Sequence, residues 1–218
     1  MKKIISLIII ATMLVFSFAS CNLVDLEKNT RTTITAEEWA ALDTTFNYTL
    51  VMTRTASYTY GDQTHTSIGN QTLKFTPTSK YYFDSTAYDG ETDIDEYYYT
   101  IKDEKSYSAG KNGDGNWVAT RTDWTPESLY DYIELDDEMT FADLTYDETK
   151  KAYTCTTTED GVQITYTYYF EDGNLVKLEG VMGGESNGAV VDLTATIIVS
   201  NIGTTVVDVP ANITYPEN

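Results

Sequence analysis

The stretch "VQITYTYYF", residues 162–170, alternates apolar or aromatic side chains with glutamine and threonine. Successive side chains of a β-strand point to opposite faces of the sheet, so every second residue shares one face. The side chains on the apolar face are Val162, Ile164, Tyr166, Tyr168 and Phe170. The stretch therefore predicts a strand that is buried on one face only.

The same alternation recurs along most of the chain, beginning with "FNYTLVM" at residues 46–52. Between such runs stand short turns rich in Gly, Asp and Asn, the residues that adopt the positive φ of tight hairpins. These turns are "YGDQ", "YDGE", "NGDGN", "DETK", "EDGV", "EDGN" and "GGESNG". The pattern predicts a mainly β (α+β) domain of about eleven strands, with loops short enough for a meandering antiparallel sheet.

Two short helices are predicted beside the strands. Thr35 and Glu38 stand three residues apart in "TITAEEWAALD", which is the spacing of a capping box, and Trp39 follows on one side of the helix. In "TPESLYDYIELDD", Thr125 is the expected N-cap and Pro126 the first helical residue. The apolar residues at helical spacing after it are Leu129, Tyr132 and Ile133. Residues 35–218 show no repeat and no internal linker, so we expect one domain.

Residues 1–20 have the composition of an export signal. Lys2 and Lys3 precede an apolar run over residues 4–18, and Ala19 and Ser20 are small. The run is shorter than the roughly 20 apolar residues that a membrane-spanning helix needs. The segment is therefore predicted to be a removed signal peptide.

Two cleavage sites compete. Cleavage after Ala19 would leave Cys21 as a thiol near a free N-terminus, whereas cleavage before Cys21 would make it the acylated first residue of a lipoprotein. "FASC", residues 18–21, resembles a bacterial lipobox except at Phe18, where leucine is preferred. We expect lipidation at Cys21, a tether over residues 21–34, and a location on the outer face of the cell membrane, or of the outer membrane in a diderm host.

The charge of the chain excludes several partners. The formal net charge is −20, and removing Lys2 and Lys3 with the signal changes it to −22. Phosphate backbones and anionic lipid surfaces repel such a body, which argues against nucleic acid and against flat adsorption on a membrane. Lipidation of Cys21 leaves Cys155 without a disulfide partner, because the chain has two cysteines. Cys155 is expected to be a small buried hydrophobe in a strand.

Several stretches together resemble the LolA and LppX-type lipoprotein-carrier superfamily, roughly over residues 35–210. They are a helix before the first strand, "FNYTL", "FADLTYDETKKAYTC", "YTYYFEDGNLVKLE" and "SNIGTTVVDVP". The resemblance implies a strongly curved antiparallel half-barrel whose concave face, partly covered by helices, holds acyl chains. The sequence departs from the family in having two short helices where carriers use longer or more numerous lid helices.

An apolar ligand would be lined by the one-sided strands and the first helix. The candidate lining residues are Trp39, Tyr48, Leu50, Met52, Leu73, Phe75, Tyr166, Tyr168, Phe170, Leu193 and Ile197. Each of them also fits an ordinary core position. The alternatives are a surface module that binds carbohydrate or a partner protein through exposed aromatics, and an envelope spacer without a ligand. A monomer without a cofactor is expected.

The sequence gives little support for catalysis or metal binding. "GESNG" matches a nucleophile elbow at Ser186, but a strand follows it and the one histidine, His65, is expected in a turn. "NGDGNWVATRTD" has partial EF-hand spacing, but Trp117 occupies the position that needs glycine, so a hairpin tip is expected. We therefore expect no catalytic residue and no metal site.

Overall fold

The computed structural model describes residues 30–133, 139–159, 161–186 and 188–216. The chain divides into a unit of residues 1–30 and a unit of residues 31–218, and the fold described here is that of the second unit. The predicted signal peptide and Cys21 lie outside the described residues.

The described residues of this unit form eleven strands and two α-helices. The strands are β1 (Tyr48–Tyr60), β2 (Gln63–Thr76), β3 (Ser79–Tyr88), β4 (Glu91–Lys102), β5 (Lys105–Lys111), β6 (Trp117–Thr122), β7 (Thr145–Asp147), β8 (Ala152–Glu159), β9 (Val162–Glu171), β10 (Asn174–Ser186) and β11 (Ala189–Ser200). The helices are α1 (Ala36–Ala40) and α2 (Leu129–Ile133), with 3-10 turns at Ala41–Thr44 and Phe141–Asp143. Among the described residues, no helix has the length and apolar character that crossing a membrane requires.

All eleven strands form one antiparallel sheet in the order β6-β5-β4-β3-β2-β1-β11-β10-β9-β8-β7. Two meanders, β1 to β6 and β7 to β11, join where β1 pairs with β11 from Thr49 opposite Ser200 to Tyr60 opposite Ala189. The edge strands β6 and β7 do not pair, so the curved sheet stays unclosed. The expected antiparallel half-barrel is confirmed, although a simple meander would not pair its first strand with its last.

The predicted hairpin turns are present with the backbone geometry that glycine allows. Gly61 between β1 and β2 has φ 59°, and Gly173 between β9 and β10 has φ 87°. A side chain at either position would be strained, because L-residues rarely adopt positive φ. These turns set the register of their hairpins.

The capping box predicted for α1 is confirmed. The backbone N–H of Glu38 donates to the Thr35 hydroxyl, and the backbone N–H of Thr35 donates to the Glu38 carboxylate. The same carboxylate pairs with the Arg31 guanidinium, which with the Thr35 bond lowers the pKa of Glu38 to about 2. The chain is thus fixed where it enters the fold.

The predicted start of α2 at Thr125 is wrong, because Ser128 caps this helix. The Ser128 N–H donates to Asp131 Oδ2 at 2.6 Å, and the Asp131 N–H donates to Ser128 Oγ at 3.2 Å. A cap at Thr125 would place Ser128 at the third helical position, where a serine lacks the reach of Glu or Gln to return a hydrogen bond. The reciprocal pair Ser128 and Asp131 therefore determines where the helix begins.

The main core lies between the helices and one face of the sheet, which we call the inner face and define by Tyr48, Leu50 and Tyr168. Trp39 of α1 is 4% exposed and meets the Tyr168 ring edge-on at 5.4 Å. From α2, Leu129 is fully buried in the same cluster. Helices this short are stable because their apolar side packs on the sheet, since isolated helices of this length are unstable.

A smaller cluster lies on the opposite, outer face of β4 to β6. It contains Tyr107, Ala109, Trp117 and Ala119. The segment after β11 covers this cluster with Ile213 and Tyr215. Thr214 also pairs in parallel with Val118 at the free edge of β6.

Candidate binding groove

The structure separates the eleven predicted lining residues into two groups. Seven belong to the closed core and are at most 4% exposed: Trp39, Tyr48, Leu50, Leu73, Phe75, Tyr168 and Phe170. The other four are partly exposed further along the inner face: Met52, Tyr166, Leu193 and Ile197. Side chains thus fill the space beneath the helices, where the sequence led us to expect a concavity, and ligand contact remains a prediction for all eleven.

Tyr168 shows how tightly this space is filled. Its side chain is fully buried, and its hydroxyl donates to the Ile133 carbonyl at 3.1 Å. Burial raises the pKa of Tyr168 well above the ordinary value of a tyrosine. The residue therefore fastens α2 to the sheet as a neutral hydrogen-bond donor.

An apolar groove begins where the core ends, on the inner face of β9, β10 and β11. Strand register sets its floor: Ile164 lies opposite Met182, and Met182 lies opposite Leu193. One row closer to the helices, Gly180 lies between Tyr166 and Ala195. Alternation along three paired strands thus brings six inner-face positions together.

The groove is shallow and almost wholly apolar. Its volume is about 310 Å³, and this value includes the part of the groove that is open to solvent. Gly180 shapes it, because a Cβ there would lie 3.3 Å from Cε1 of the Tyr166 ring. The tyrosine ring can therefore lean over the strand. Leu178 closes the groove on the core side, where it is 2% exposed.

A polar cluster continues the inner face on the other side of the groove. Arg54 of β1 lies opposite Ala195 in the groove, and its Nη2 donates to Asp84 Oδ2 and to Thr86 Oγ1, both at 3.0 Å. Asp84 also accepts from Gln71 Nε2 at 3.2 Å and from the Tyr82 hydroxyl at 3.3 Å. The Asp84 side chain is only 9% exposed, and hydrogen bonds from neighbouring side chains replace the water that its carboxylate has lost.

Gly69 makes room for the arginine. A Cβ at Gly69 would lie 2.5 Å from Arg54 Nε, so the Arg54 side chain lies flat across β2 on its way to β3. A charged residue at a position that shares its face with Leu50 and Met52 is the one sequence signal that could have marked this cluster. The sequence predictions missed it.

Exposed aromatics occupy the end of the inner face away from the helices. Tyr58 is 44% exposed and lies opposite His65, whose ring stacks on Tyr88 at 5.9 Å and 9°. His65 lies in strand β2 rather than in the predicted turn, and its Nδ1 is 2.6 Å from Asp89 Oδ2. That contact lowers the pKa of Asp89. The strip is the kind of surface that the alternative function requires.

The remaining motifs are structural where the structure describes them. Asn112 Oδ1 accepts from the Asp114 and Asn116 N–H groups, so the EF-hand-like stretch is a hairpin tip as predicted. The first three residues of "GESNG" end β10, which pairs antiparallel with the following β11, so the motif is not a strand-to-helix elbow. Burial raises the pKa of the Cys155 thiol, which lies in β8. Within the described ranges, no three His, Cys, Asp or Glu side chains are grouped to hold a metal ion.

Comparison with known proteins finds structural likeness alone. No protein-family model matches the chain, and no curated protein matches it. An S-type phycobiliprotein lyase from Guillardia theta is 11% identical with a TM-score of 0.30, covering 77% of this chain and 93% of that one. A DUF1329 family protein from Desulfovibrio piger is 13% identical with a TM-score of 0.29, covering 80% of this chain and 92% of that one.

A third likeness is to a putative outer membrane lipoprotein-sorting protein domain from Vibrio parahaemolyticus, which is 11% identical with a TM-score of 0.25. The match covers 81% of this chain and 93% of that one. At such TM-scores these similarities carry no argument about function. The argument about function rests on the geometry of the inner face.

Proposed function

We propose that the protein is a membrane-anchored lipoprotein that binds the apolar chain of a lipid-like ligand in the groove of β9, β10 and β11. The observation that supports this most directly is the change of packing along one face. Beneath the helices the apolar side chains of the inner face are buried. Further along the same face, Tyr166, Met182 and Leu193 are half-exposed. A continuous apolar surface without cover favours an occupant.

The energetics suit an acyl chain. Each methylene removed from water contributes about 0.8 kcal/mol, so a chain of several carbons gains enough to bind even in a shallow groove. Ala195, a small residue next to Gly180 in the floor, leaves space for a chain beside the Tyr166 ring that leans over Gly180. The role proposed is binding rather than catalysis.

A second candidate function is supported by the strip of Tyr58, His65 and Tyr88. Exposed aromatic faces bind sugar rings and apolar partner surfaces, and the hydrogen bond to Asp89 holds the histidine ring in place. This function would leave the groove empty and place the ligand near the hairpin ends.

The first prediction tests the groove with a charge. Leu193→Glu is expected to abolish binding of an uncharged apolar dye such as Nile red while the domain stays folded, because the carboxylate can remain hydrated in a half-exposed site. Dye fluorescence titration measures binding, and circular dichroism melting measures the fold.

Two variants are the controls for this measurement. Ile198→Glu adds the same charge on the outer face of β11, where Ile198 is 43% exposed, and is expected to leave dye binding unchanged. Tyr168→Glu buries an unpaired charge in the core and is expected to unfold the domain, at a cost of several kcal/mol. Wild-type protein that does not bind the dye, or equal losses in the Leu193 and Ile198 variants, would contradict the groove assignment.

A further inference from the structure

We propose that Arg54 binds an anionic head group, so that the ligand of the groove is an amphiphile with one carboxylate or phosphate end. The inference depends on the proposed function, because it assigns the polar end of the same ligand. It is carried by the position, exposure and hydrogen bonding of Arg54.

Arg54 is unusual among the basic residues of the sheet. Of the described strand residues on the inner face, the cations are Arg54 and Lys80, as the strand register shows. The Lys80 side chain is 10% exposed and its ammonium is held by Glu127. The Arg54 side chain is 35% exposed, so it presents the accessible positive charge of this face.

Arg54 also keeps hydrogen-bonding capacity. Its contacts to Asp84 and Thr86 both involve Nη2, whereas Nε and Nη1 have no hydrogen-bond partner among the described residues. A guanidinium donates up to five hydrogen bonds in a planar fork that fits carboxylate and phosphate oxygens. The face of the fork not used by Asp84 is therefore able to bind an oxyanion.

The path from the groove to the guanidinium fits an extended chain. Along one row of the sheet, Tyr166, Gly180, Ala195, Arg54 and Gly69 are successive partners from β9 to β2. Four strand spacings correspond to roughly 19 Å. The Arg54 side chain crosses Gly69 toward β3, so an apolar chain that passes over Ala195 beside the Tyr166 ring and follows the stem of Arg54 ends at the charged group.

The surrounding acids restrict the ligand to a small anion. Asp95 lies opposite Asp84 in the register, and Asp93 lies opposite Thr86; both are exposed. They repel any group that carries many negative charges or reaches beyond β3. An inorganic anion without a chain gains too little here, so the apolar groove and Arg54 are both needed.

The test compares decanoate, decyl phosphate and decanol, which share one chain length and differ in head group. Isothermal titration calorimetry at pH 8 is expected to show wild type binding the two anions more tightly than decanol. Arg54→Gln is expected to weaken decanoate and decyl phosphate binding about tenfold or more and to change decanol binding less than twofold. Lys74→Gln, which removes the same charge from the outer face of β2, is the matched control and is expected to change none of the three.

Two further variants keep the result decisive. Arg54→Lys retains the charge without the fork and is expected to bind decanoate with intermediate affinity, which covers the case of a poorly folded glutamine variant. Asp84→Asn frees the guanidinium from its carboxylate and is expected to tighten decanoate binding severalfold.

The outcomes separate this inference from the proposed function. If wild type binds neither decanol nor decanoate, both ideas fail. If decanol binds but Arg54→Gln weakens all three ligands equally or none of them, Arg54 is a structural ion pair and this inference alone is overturned. Inorganic phosphate binding as tightly as decyl phosphate would show a site for a free anion, which also overturns it.

Discussion

Lys80 carries a charge inside the core, and the structure compensates it in two ways. Its Nζ lies 3.0 and 2.9 Å from the two carboxylate oxygens of Glu127 and donates to the Tyr132 hydroxyl at 2.9 Å. The rings of Phe75 and Tyr99 stand 5.1 and 5.4 Å from the ammonium. Replacing both partners of such an ion pair by apolar residues changes stability little. Removing one partner is destabilising, because the other charge stays buried without a counter-charge.

The residue-scale prediction follows from that asymmetry. Lys80→Met is expected to lower the free energy of unfolding by about 3 kcal/mol, because Glu127 loses its cation in a partly buried site. The double variant Lys80→Met with Glu127→Gln is expected to recover part of the loss. Urea denaturation measures both.

Lys111→Met is the control for this cycle. Lys111 pairs with Glu96 at 2.8 Å, but its side chain is 51% exposed, so its removal is expected to cost less than about 1 kcal/mol. Equal small losses for Lys80 and Lys111 would show that the Lys80 pair is as solvated as a surface pair.

Among the elements, the free edge of β6 is protected by the tail of the chain. The Ala119 N–H donates to the Thr214 carbonyl at 2.8 Å, and the Thr214 N–H donates to the Trp117 carbonyl at 3.0 Å. Tyr215 meets Tyr107 edge-on at 5.1 Å beside this pairing. An uncovered edge strand is a template for pairing with another chain. The tail therefore stabilises the smaller cluster and shields the edge of β6 from such pairing.

Truncation after Pro210 is expected to lower the melting temperature and to cause concentration-dependent association, measured by sedimentation velocity. The double variant Ile213→Asn and Tyr215→Ala keeps the backbone pairing at Thr214 and is expected to be less stable without associating. A truncated chain that stays monomeric with an unchanged melting temperature would show that the tail neither covers the edge nor supports the cluster.

The sequence predicted local elements well and long-range pairing poorly. Alternation and turn chemistry indicated the strands, and the Thr35 capping box indicated α1, because each depends on residues close in the chain. The pairing of β1 with β11 has no local signal, since both strands are equally able to pair elsewhere. The start of α2 was misplaced because Thr125 and Ser128 are both competent caps, and the Asp131 side chain decides between them.

The sequence predicts the apolar character of the candidate site but not its position on the sheet. A core position and a groove position require the same apolar alternation, so Tyr168 and Leu193 are equivalent in the sequence. Their difference arises from α1 and α2, which cover the first and leave the second open. The contact between Arg54 and Gly69 depends on cross-strand register, which places the Arg54 side chain over Gly69.

At the scale of the whole molecule, charge and anchoring act together. A chain with a formal net charge of −20 is not drawn to anionic lipid, so the membrane attachment that we propose depends on a covalent anchor. Two or more acyl chains give stable attachment where one is marginal. Cys21 is the residue proposed to carry them.

Cys21→Ser is therefore expected to move the protein from the membrane fraction to the soluble fraction or the medium, as followed by fractionation and immunoblotting. Cys155→Ser, which changes the other cysteine, is expected to leave the protein with the membrane. Mass spectrometry of wild type is expected to show an acylated N-terminal cysteine. An unmodified chain that starts at Ser20 would disprove the anchor.

The pairing of β1 with β11 determines when the fold can be completed. Of the described strands, β1 is made first and β11 last, yet they are neighbours in the middle of the sheet. Until Ala189–Ser200 has been made, one edge of β1 has no partner in the native order. Contacts between such distant segments lose loop-closure entropy before they gain stability, so they slow folding. Completion of the sheet therefore waits for Ala189–Ser200, and until then the open edge of β1 is free to pair with another chain.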